Sequence, residues 1–275
     1  MSKNQQSLVR VVPRIQQMEQ FIDTVKAHPT SNIEKLFTEL FNLTNNELNS
    51  MLFFGMVNIN SNVKHLEKQL HKIKQLNFET YIESELVRLQ RKYPSGRSVK
   101  YGLFLLDEND DFVRDRLGGV SAFTDYNGNL CFIVYPDEKV RSILKSIIAH
   151  EYHHHWRIKK LGTTEKNETL LDRLVLEGLA EHFVRIELGE ACLGPMMRAL
   201  SEEEARTLWN TKYLEHLSDH GDKTDPFMFG DKDQGIPLWA GYSIGYYIVK
   251  WFIEKHNFKS IEELTELPSN NFIVK

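Results

Sequence analysis

The chain has 275 residues, with 34 Lys and Arg against 38 Asp and Glu, so its formal net charge at pH 7 is −4. This near balance argues against a general nucleic-acid-binding protein, because phosphate contacts require a basic surface. No apolar run approaches the roughly 18 residues of a membrane span, and the first residues lack the apolar core of a signal peptide. We therefore expect neither nucleic-acid nor membrane partners.

The chain contains two cysteines, too few for a disulfide framework. Cys131 lies in an apolar, strand-like segment, and Cys192 lies in a turn-like segment rich in small residues. Both are most simply interpreted as reduced thiols of a cytoplasmic protein.

The first third of the chain has the pattern of several amphipathic helices. A capping box, Thr44-Asn45-Asn46-Glu47, begins one of them, and Pro94-Ser95-Gly96 ends the helical region. This part carries no recognisable catalytic motif. We predict an N-terminal helical region over residues 1–95 and a catalytic domain over residues 96–275.

Three strands are predicted after this region. Residues 98–106 are rich in apolar and aromatic side chains, and Asn127-Gly128 is a strong hairpin-turn signal between residues 120–124 and 130–135. The strand over 130–135 is apolar on both faces, as in a buried strand. The strand over 120–124 would then lie nearer a cleft.

The backbone of Ser121, Ala122 and Phe123 is a candidate substrate-binding strand. An extended peptide can add to the free edge of a sheet through main-chain hydrogen bonds. An ordinary hairpin strand is an equally good interpretation of the same residues.

Residues 137–160 form a predicted amphipathic helix, with Asp137 as its N-cap. Its second half contains His150-Glu151-Tyr152-His153-His154, an H-E-x-x-H motif. Residues four apart lie on one face of a helix, so His150 and His154 can bind one ion. His153 and His155 lie off that face and are interpreted as surface or supporting histidines.

A catalytic zinc needs a third protein ligand and an open position for water. Glu177 and Glu181 lie one turn apart on the next apolar helical stretch, residues 168–186. Gly178 is unfavourable inside a helix by about 1 kcal/mol unless close packing requires it. We expect this glycine to let the second helix approach the motif helix, which favours Glu177 as the third ligand.

Another histidine pair with the same spacing occurs near the end of the chain. His216 and His220 are four residues apart, but no general base adjoins them, and Asp219 and Gly221 are typical of a helix end. We predict a surface position rather than a second metal site.

The two motif segments together resemble those of a known enzyme class. H-E-x-x-H followed by Glu177-Gly178-Leu179-Ala180-Glu181 on a second helix resembles the gluzincins, the thermolysin and aminopeptidase type of metallopeptidase. The hairpin around Asn127-Gly128 is similar to the edge-strand hairpin of thermolysin-like enzymes. Residues 239–246, Trp-Ala-Gly-Tyr-Ser-Ile-Gly-Tyr, resemble a segment of the YjaZ-like family of predicted bacterial zinc-dependent proteases.

The resemblance implies an α+β fold that is predominantly helical, with a thermolysin-like zincin core, a small antiparallel sheet and an N-terminal helical part. It also implies that Glu181 receives the second ring N–H of His150 and that Tyr242 donates to the oxyanion. The chain lacks the Gly-x-Met-Glu-Asn strand of aminopeptidases, so an endopeptidase is the expected type.

The expected function is zinc-dependent hydrolysis of a peptide bond in a peptide or protein substrate. His150, His154 and Glu177 would hold Zn²⁺, and Glu151 would act as general base on the attacking water. Two alternatives stay open at this point: a regulatory or binding protein that keeps the zincin fold, and an enzyme with a non-peptide substrate. The presence of Glu151 argues against the binding-protein alternative, because a structural zinc site does not need a general base.

Overall fold

The computed structural model describes residues 8–29, 32–257 and 260–273. These residues are mostly helical with one four-stranded sheet, which confirms the α+β class. The strands are β1 (Val9–Val12), β2 (Val99–Leu105), β3 (Val120–Thr124) and β4 (Asn129–Val134). The helices are α1 (Arg14–Ala27), α2 (Ile33–Phe41), α3 (Asn45–Phe53), α4 (Val63–Gln75), α5 (Phe78–Lys92), α6 (Arg141–Leu161), α7 (Leu170–Leu188), α8 (Glu202–Leu208), α9 (Asp225–Phe229), α10 (Ala240–His256) and α11 (Ile261–Glu266).

The chain divides into two compact units. The first contains the described residues up to Asp125 together with residues 129–148, and the second contains residues 126–128 and the described residues from Ala149 onward. The predicted division into residues 1–95 and 96–275 stays a prediction. None of the helices in the described ranges is both long and apolar enough to cross a membrane.

The sheet belongs to the first unit and has the strand order β1-β2-β4-β3. β1 and β4 both run parallel to β2, and only β3 pairs in the antiparallel direction, with β4. The expected antiparallel sheet is therefore wrong, because the sheet is mixed. The hairpin signal predicted the β3–β4 pair, whereas parallel pairs are joined by long crossovers that leave no local turn signal.

Local capping signals in the sequence correspond to the structure. Thr44 and Glu47 form the predicted capping box at α3, with the Thr44 N–H donating to Glu47 Oε2 at 2.7 Å and the Glu47 N–H to Thr44 Oγ1 at 3.2 Å. Asp137 accepts the Lys139 N–H at 2.9 Å, but it caps a short 3₁₀ turn that precedes α6. The motif helix therefore begins at Arg141, later than predicted.

A buried arginine fastens the C-terminal segment to α6 within the second unit. Arg157 is 2% exposed and donates to the carbonyls of Thr265 and Leu267 at 2.8 and 2.9 Å and to the Ser269 hydroxyl at 3.1 Å. Burial lowers the pKa of Arg157 to about 10, so it remains charged at neutral pH. A buried cation is stable only when its N–H groups are hydrogen-bonded. The N–H groups of Arg157 meet this requirement by bonding residues 265–269.

α7 and α10 cross through two glycines in the second unit. A Cβ on Gly178 would lie 2.1 Å from the carbonyl oxygen of Gly245, and a Cβ on Gly245 would lie 2.1 Å from that of Leu174. The close packing expected at Gly178 exists, but its partner is α10. The predicted partner, the motif helix, is therefore wrong.

Gly178→Ala should destabilise the protein although alanine is the better helix former. Helix propensity alone predicts a gain of about 1 kcal/mol. The added methyl group would meet backbone atoms that cannot rotate away, so we expect a net loss of about 1–3 kcal/mol in the free energy of unfolding. Denaturant unfolding measures it. Ile186→Ala, at a side chain 52% exposed on the same helix, is the control and should change little. A more stable Gly178→Ala variant would contradict the crossing.

Candidate metal centre

The H-E-x-x-H residues lie on the second half of α6, where residues 151–158 are all buried. His150, Glu151 and His154 offer donor atoms that all lie within 4.8 Å of one another. Glu151 and His154 are 4% and 6% exposed, and the His150 side chain is 12% exposed. The four-residue spacing thus brings both imidazoles to one point, as the sequence predicts.

Glu177 on α7 faces the same atoms. Its Oε2 lies 3.1 Å from His150 Nε2, and its Oε1 lies 3.6 Å from His154 Nε2. One carboxylate therefore approaches the equivalent nitrogen of both histidines. Glu177 joins the predicted cluster even though it lies on a different helix.

Glu181, one turn along α7, approaches the opposite side of one imidazole. His150 Nδ1 donates to Glu181 Oε1 at 2.8 Å. The backbone N–H of Gly194 donates to the other oxygen, Oε2, at 2.9 Å. Because a carboxylate only accepts, Nδ1 of His150 carries a proton and Nε2 is the atom turned toward Glu177.

Hydrogen bonds and charges within the cluster favour the protonated form of His150 and the ionised form of Glu177. Burial alone would lower the pKa of His150, but its hydrogen bonds with Glu177 and Glu181 hold that pKa well above its usual value. Burial alone would raise the pKa of Glu177, but the charge on His154 and the hydrogen bond from His150 lower it.

The donor set suits zinc. Two imidazole nitrogens and one carboxylate oxygen are ligands that Zn²⁺ accepts in catalytic sites, with a fourth position left for water. The hydrogen bond from His150 to Glu181 is the type of support that orients a ligating histidine. The buried Nδ1 of His154 has no hydrogen-bond partner among the described residues, so its orientation rests on packing.

Comparison with known proteins agrees with this chemistry. Residues 64–274 match a family model described as "Predicted Zn-dependent protease (DUF2268)". The chain belongs to this family.

Two relatives from Bacillus subtilis (strain 168) carry only the description "uncharacterized protein". YjfC is 28% identical over 203 residues, which are 70% of this chain and 64% of YjfC. YjaZ is 26% identical over 214 residues, which are 77% of this chain and 80% of YjaZ. No solved structure matches the chain. The predicted resemblance to the YjaZ-like family of zinc-dependent proteases is thereby confirmed.

Tyr242 lies near the first turn of α10 and is half-buried. Burial and the negative charge of Glu177 raise its pKa, whereas Arg173 lowers it, so the phenol keeps its proton at neutral pH. Arg173 donates to Asp225 at 2.7 Å and lies over the ring of Phe229, which in turn contacts the ring of Tyr242. The oxyanion role of Tyr242 stays a prediction.

The two other histidines of the motif region are buried, so a surface position for them is wrong. His153 Nε2 lies 3.0 Å from the Thr265 hydroxyl, and His155 Nδ1 donates to the Gly128 carbonyl at 2.7 Å. Both histidines contact other segments of the same chain, at Thr265 and Gly128, from faces of α6 other than the ligand face. The sequence did not reveal this because their partners are distant along the chain.

The rival histidine pair is occupied with other partners. His216 Nδ1 lies 2.8 Å from Asp219 Oδ2, and His220 Nδ1 donates to the Glu168 carbonyl at 2.9 Å. The Nδ1 atom of each ring therefore takes part in a structural contact.

Sequence reasoning missed His182 on α7, which is fully buried. Its Nε2 donates to the Tyr246 carbonyl at 3.1 Å, and the two rings stack with centroids 4.4 Å apart. Burial lowers the pKa of His182 to about 3. The contact could not be predicted from the sequence, because Tyr246 lies 64 residues after His182 and no motif links the two residues.

His182 should make the protein sensitive to acid. Its folded pKa lies below the ordinary value of about 6.5, so the unfolded chain binds the proton first. The resulting stability is complete above pH 6.5 and is lost as the pH falls toward 3, by a few kcal/mol at most. Unfolding free energies across this range should fall less steeply in His182→Gln than in the wild type. Parallel pH profiles would contradict the assignment.

The predicted substrate-binding residues lie on β3 in the first unit, at the edge of the sheet. The Asp125 N–H bonds the Asn129 carbonyl and the Tyr135 N–H bonds the Gly119 carbonyl, so alternate pairs of the ladder are hydrogen-bonded. Ser121 and Phe123 fall in bonded pairs, whereas the N–H and C=O of Ala122 point away from β4. The substrate-binding role of these three residues stays a prediction.

Proposed function

We propose that this protein is a zinc metallopeptidase that hydrolyses internal peptide bonds. One observation carries the proposal: the Nε2 atoms of His150 and His154 converge on the Glu177 carboxylate, while His150 Nδ1 is held by Glu181. This arrangement supports His150, His154 and Glu177 as zinc ligands. It also supports a thermolysin-like core of the gluzincin type.

Zinc bound there would lower the pKa of a coordinated water and polarise the scissile carbonyl. Glu151, buried beside His150, would accept the proton of the attacking water and pass it to the leaving amine. The hydroxyl of Tyr242, kept protonated by its raised pKa, would donate to the oxyanion of the tetrahedral intermediate. Glu181 would keep the His150 ring in place.

The partner class follows from this chemistry: a peptide or protein that can lie in extended form. Neither Cys131 nor Cys192 forms a disulfide bond, which suits the reducing cytoplasm in which we place the reaction. The binding-protein alternative leaves Glu151 without a purpose, and no observation favours it.

A peptide library with quenched fluorescence tests the proposal. We expect cleavage by the purified protein, loss of cleavage after zinc is removed with a chelator, and recovery on adding one equivalent of Zn²⁺. Mass spectrometry of the products should show cuts at internal bonds. Cleavage that persists in the chelated protein would contradict the zinc mechanism, and release of single terminal residues would contradict the endopeptidase type.

Ala122→Pro should impair substrate binding without affecting the metal. Proline removes the N–H that points away from β4 and leaves the ladder bonds of β3 in place. We expect a KM raised at least severalfold with unchanged zinc content. Ala122→Gly, which keeps the N–H, is the matched control. Identical cleavage kinetics in the proline variant would exclude strand addition at β3.

A further inference from the structure

We propose that the backbone amide of Gly194 is a positioning group of the metal centre, acting on His150 through Glu181. This inference rests on the proposed function, because it assigns a further support to the same zinc site. The N–H of Gly194 donates to Glu181, which is not one of the three predicted ligands. Its effect passes through the carboxylate that holds His150 Nδ1.

The contacts form a short chain in which each oxygen of Glu181 has its own donor. Oε1 accepts from His150 Nδ1 at 2.8 Å, and Oε2 accepts from the Gly194 N–H at 2.9 Å. Glu181 is 5% exposed, so little water can substitute for either donor. Two donors on opposite oxygens fix the rotation of the carboxylate, which in turn fixes the plane of the imidazole.

The segment that supplies this amide returns to α7 after the helix has ended. α7 ends at Leu188, residues 190–192 form a 3₁₀ turn, and Gly194 then lies beside Glu181. The turn 189–194 therefore does more than connect two helices: it carries a hydrogen-bond donor to the buried side chain.

The glycine is not required by backbone strain at this position. Gly194 has φ −61° and ψ 152°, values that any residue adopts. A Cβ built there would lie 3.4 Å from Glu181 Oε1, an ordinary contact distance. The N–H, rather than the absence of a side chain, is thus the feature that acts on the site.

This geometry permits a sharply matched pair of variants. Proline fits φ −61°, and Leu193 before it is extended with ψ 142°, as a residue preceding proline should be. Gly194→Pro therefore removes the N–H and places a ring carbon against Glu181 Oε2. Gly194→Ala adds a Cβ and keeps the N–H. The difference between the two variants therefore reports the loss of the N–H together with the displacement of the Glu181 carboxylate by the proline ring.

The primary measurement is zinc affinity by competition with a chromophoric chelator, which needs no catalysis. Support residues of this kind typically contribute 10–100-fold in metal affinity. We expect Gly194→Pro to bind zinc about tenfold or more weakly, and Gly194→Ala to remain within about twofold of the wild type. Equal affinities for the two variants would overturn the inference.

Two further readouts separate positioning from a general structural role. The visible spectrum of the Co²⁺-loaded protein should change in Gly194→Pro and not in Gly194→Ala, because a turned His150 alters the ligand field. In a double-mutant cycle, Gly194→Pro should cause no further loss of zinc affinity once Glu181→Ala is present. Losses that multiply would overturn the inference.

The outcomes also distinguish this inference from the proposed function. If the wild type binds zinc and cleaves peptides but Gly194→Pro has the same zinc affinity, the proposed function stands and the role of Gly194 is excluded. A wild type that binds no zinc overturns both. Should Gly194→Pro fail to fold, replacing Gly194 by glycolic acid puts an ester oxygen where the N–H stood, and the same tenfold loss is expected.

Discussion

Glu151→Gln is expected to bind zinc as the wild type does and to lose peptide hydrolysis. The amide keeps the shape of the carboxylate but cannot accept the proton of the attacking water. General-base catalysis typically contributes about 10²–10⁴-fold, so kcat should fall by about that factor. Burial of Glu151 at 4% exposure beside His150 leaves little room for bulk water to replace it.

The measurement is kcat for a cleaved library peptide together with zinc content per chain. Glu165→Gln makes the same change of charge at an exposed position after α6 and should leave both quantities unaltered. A Glu151→Gln variant within about tenfold of wild-type kcat would remove Glu151 from the general-base role.

Glu177→Ala is expected to yield a protein that is largely free of zinc. The carboxylate approaches Nε2 of both histidines, at 3.1 and 3.6 Å, so its loss would remove one of the three proposed protein ligands. Two imidazoles alone make a weak site, since catalytic zinc is normally held by three protein side chains. Zinc content after dialysis, measured by atomic emission, gives the result directly.

Glu181→Ala provides the comparison, because it is the same substitution one turn along α7. Its carboxylate contacts His150 Nδ1, the far side of the ring, so its loss should weaken zinc binding by only about 10–100-fold. Chelator competition measures both variants on one scale. If Glu181→Ala loses zinc entirely and Glu177→Ala retains it, the two assignments are reversed.

The metal cluster could be predicted because its signals are local. His150 and His154 are brought together by helix periodicity, and Glu177 and Glu181 are brought to one face of the next helix in the same way. The pairing of Glu181 with His150 was inferred from resemblance, and Glu177 was chosen because Gly178 follows it. His150 Nδ1 lies 2.8 Å from Glu181 Oε1, and the roles of the two carboxylates toward zinc stay predictions.

The remaining features depend on contacts between segments that are distant in sequence. Gly178 indicates close packing, but a glycine does not specify which element packs against it. The element that packs against Gly178 is α10, whereas the sequence predicted α6. β1 is a four-residue strand, and its parallel neighbour β2 lies almost ninety residues later in the chain. No turn motif in the sequence therefore indicates that the two strands pair. The amide of Gly194 could not be predicted, because every residue other than proline carries the same group.

The proposed function depends on a zinc ion held by His150, His154 and Glu177. X-ray absorption at the zinc edge of the purified, active protein tests it most directly. We expect one zinc per chain with two imidazole nitrogens and oxygen neighbours at about 2.0–2.2 Å, and no sulfur. A sulfur shell near about 2.3 Å, which would implicate Cys131 or Cys192, or a shell without imidazole, would contradict it.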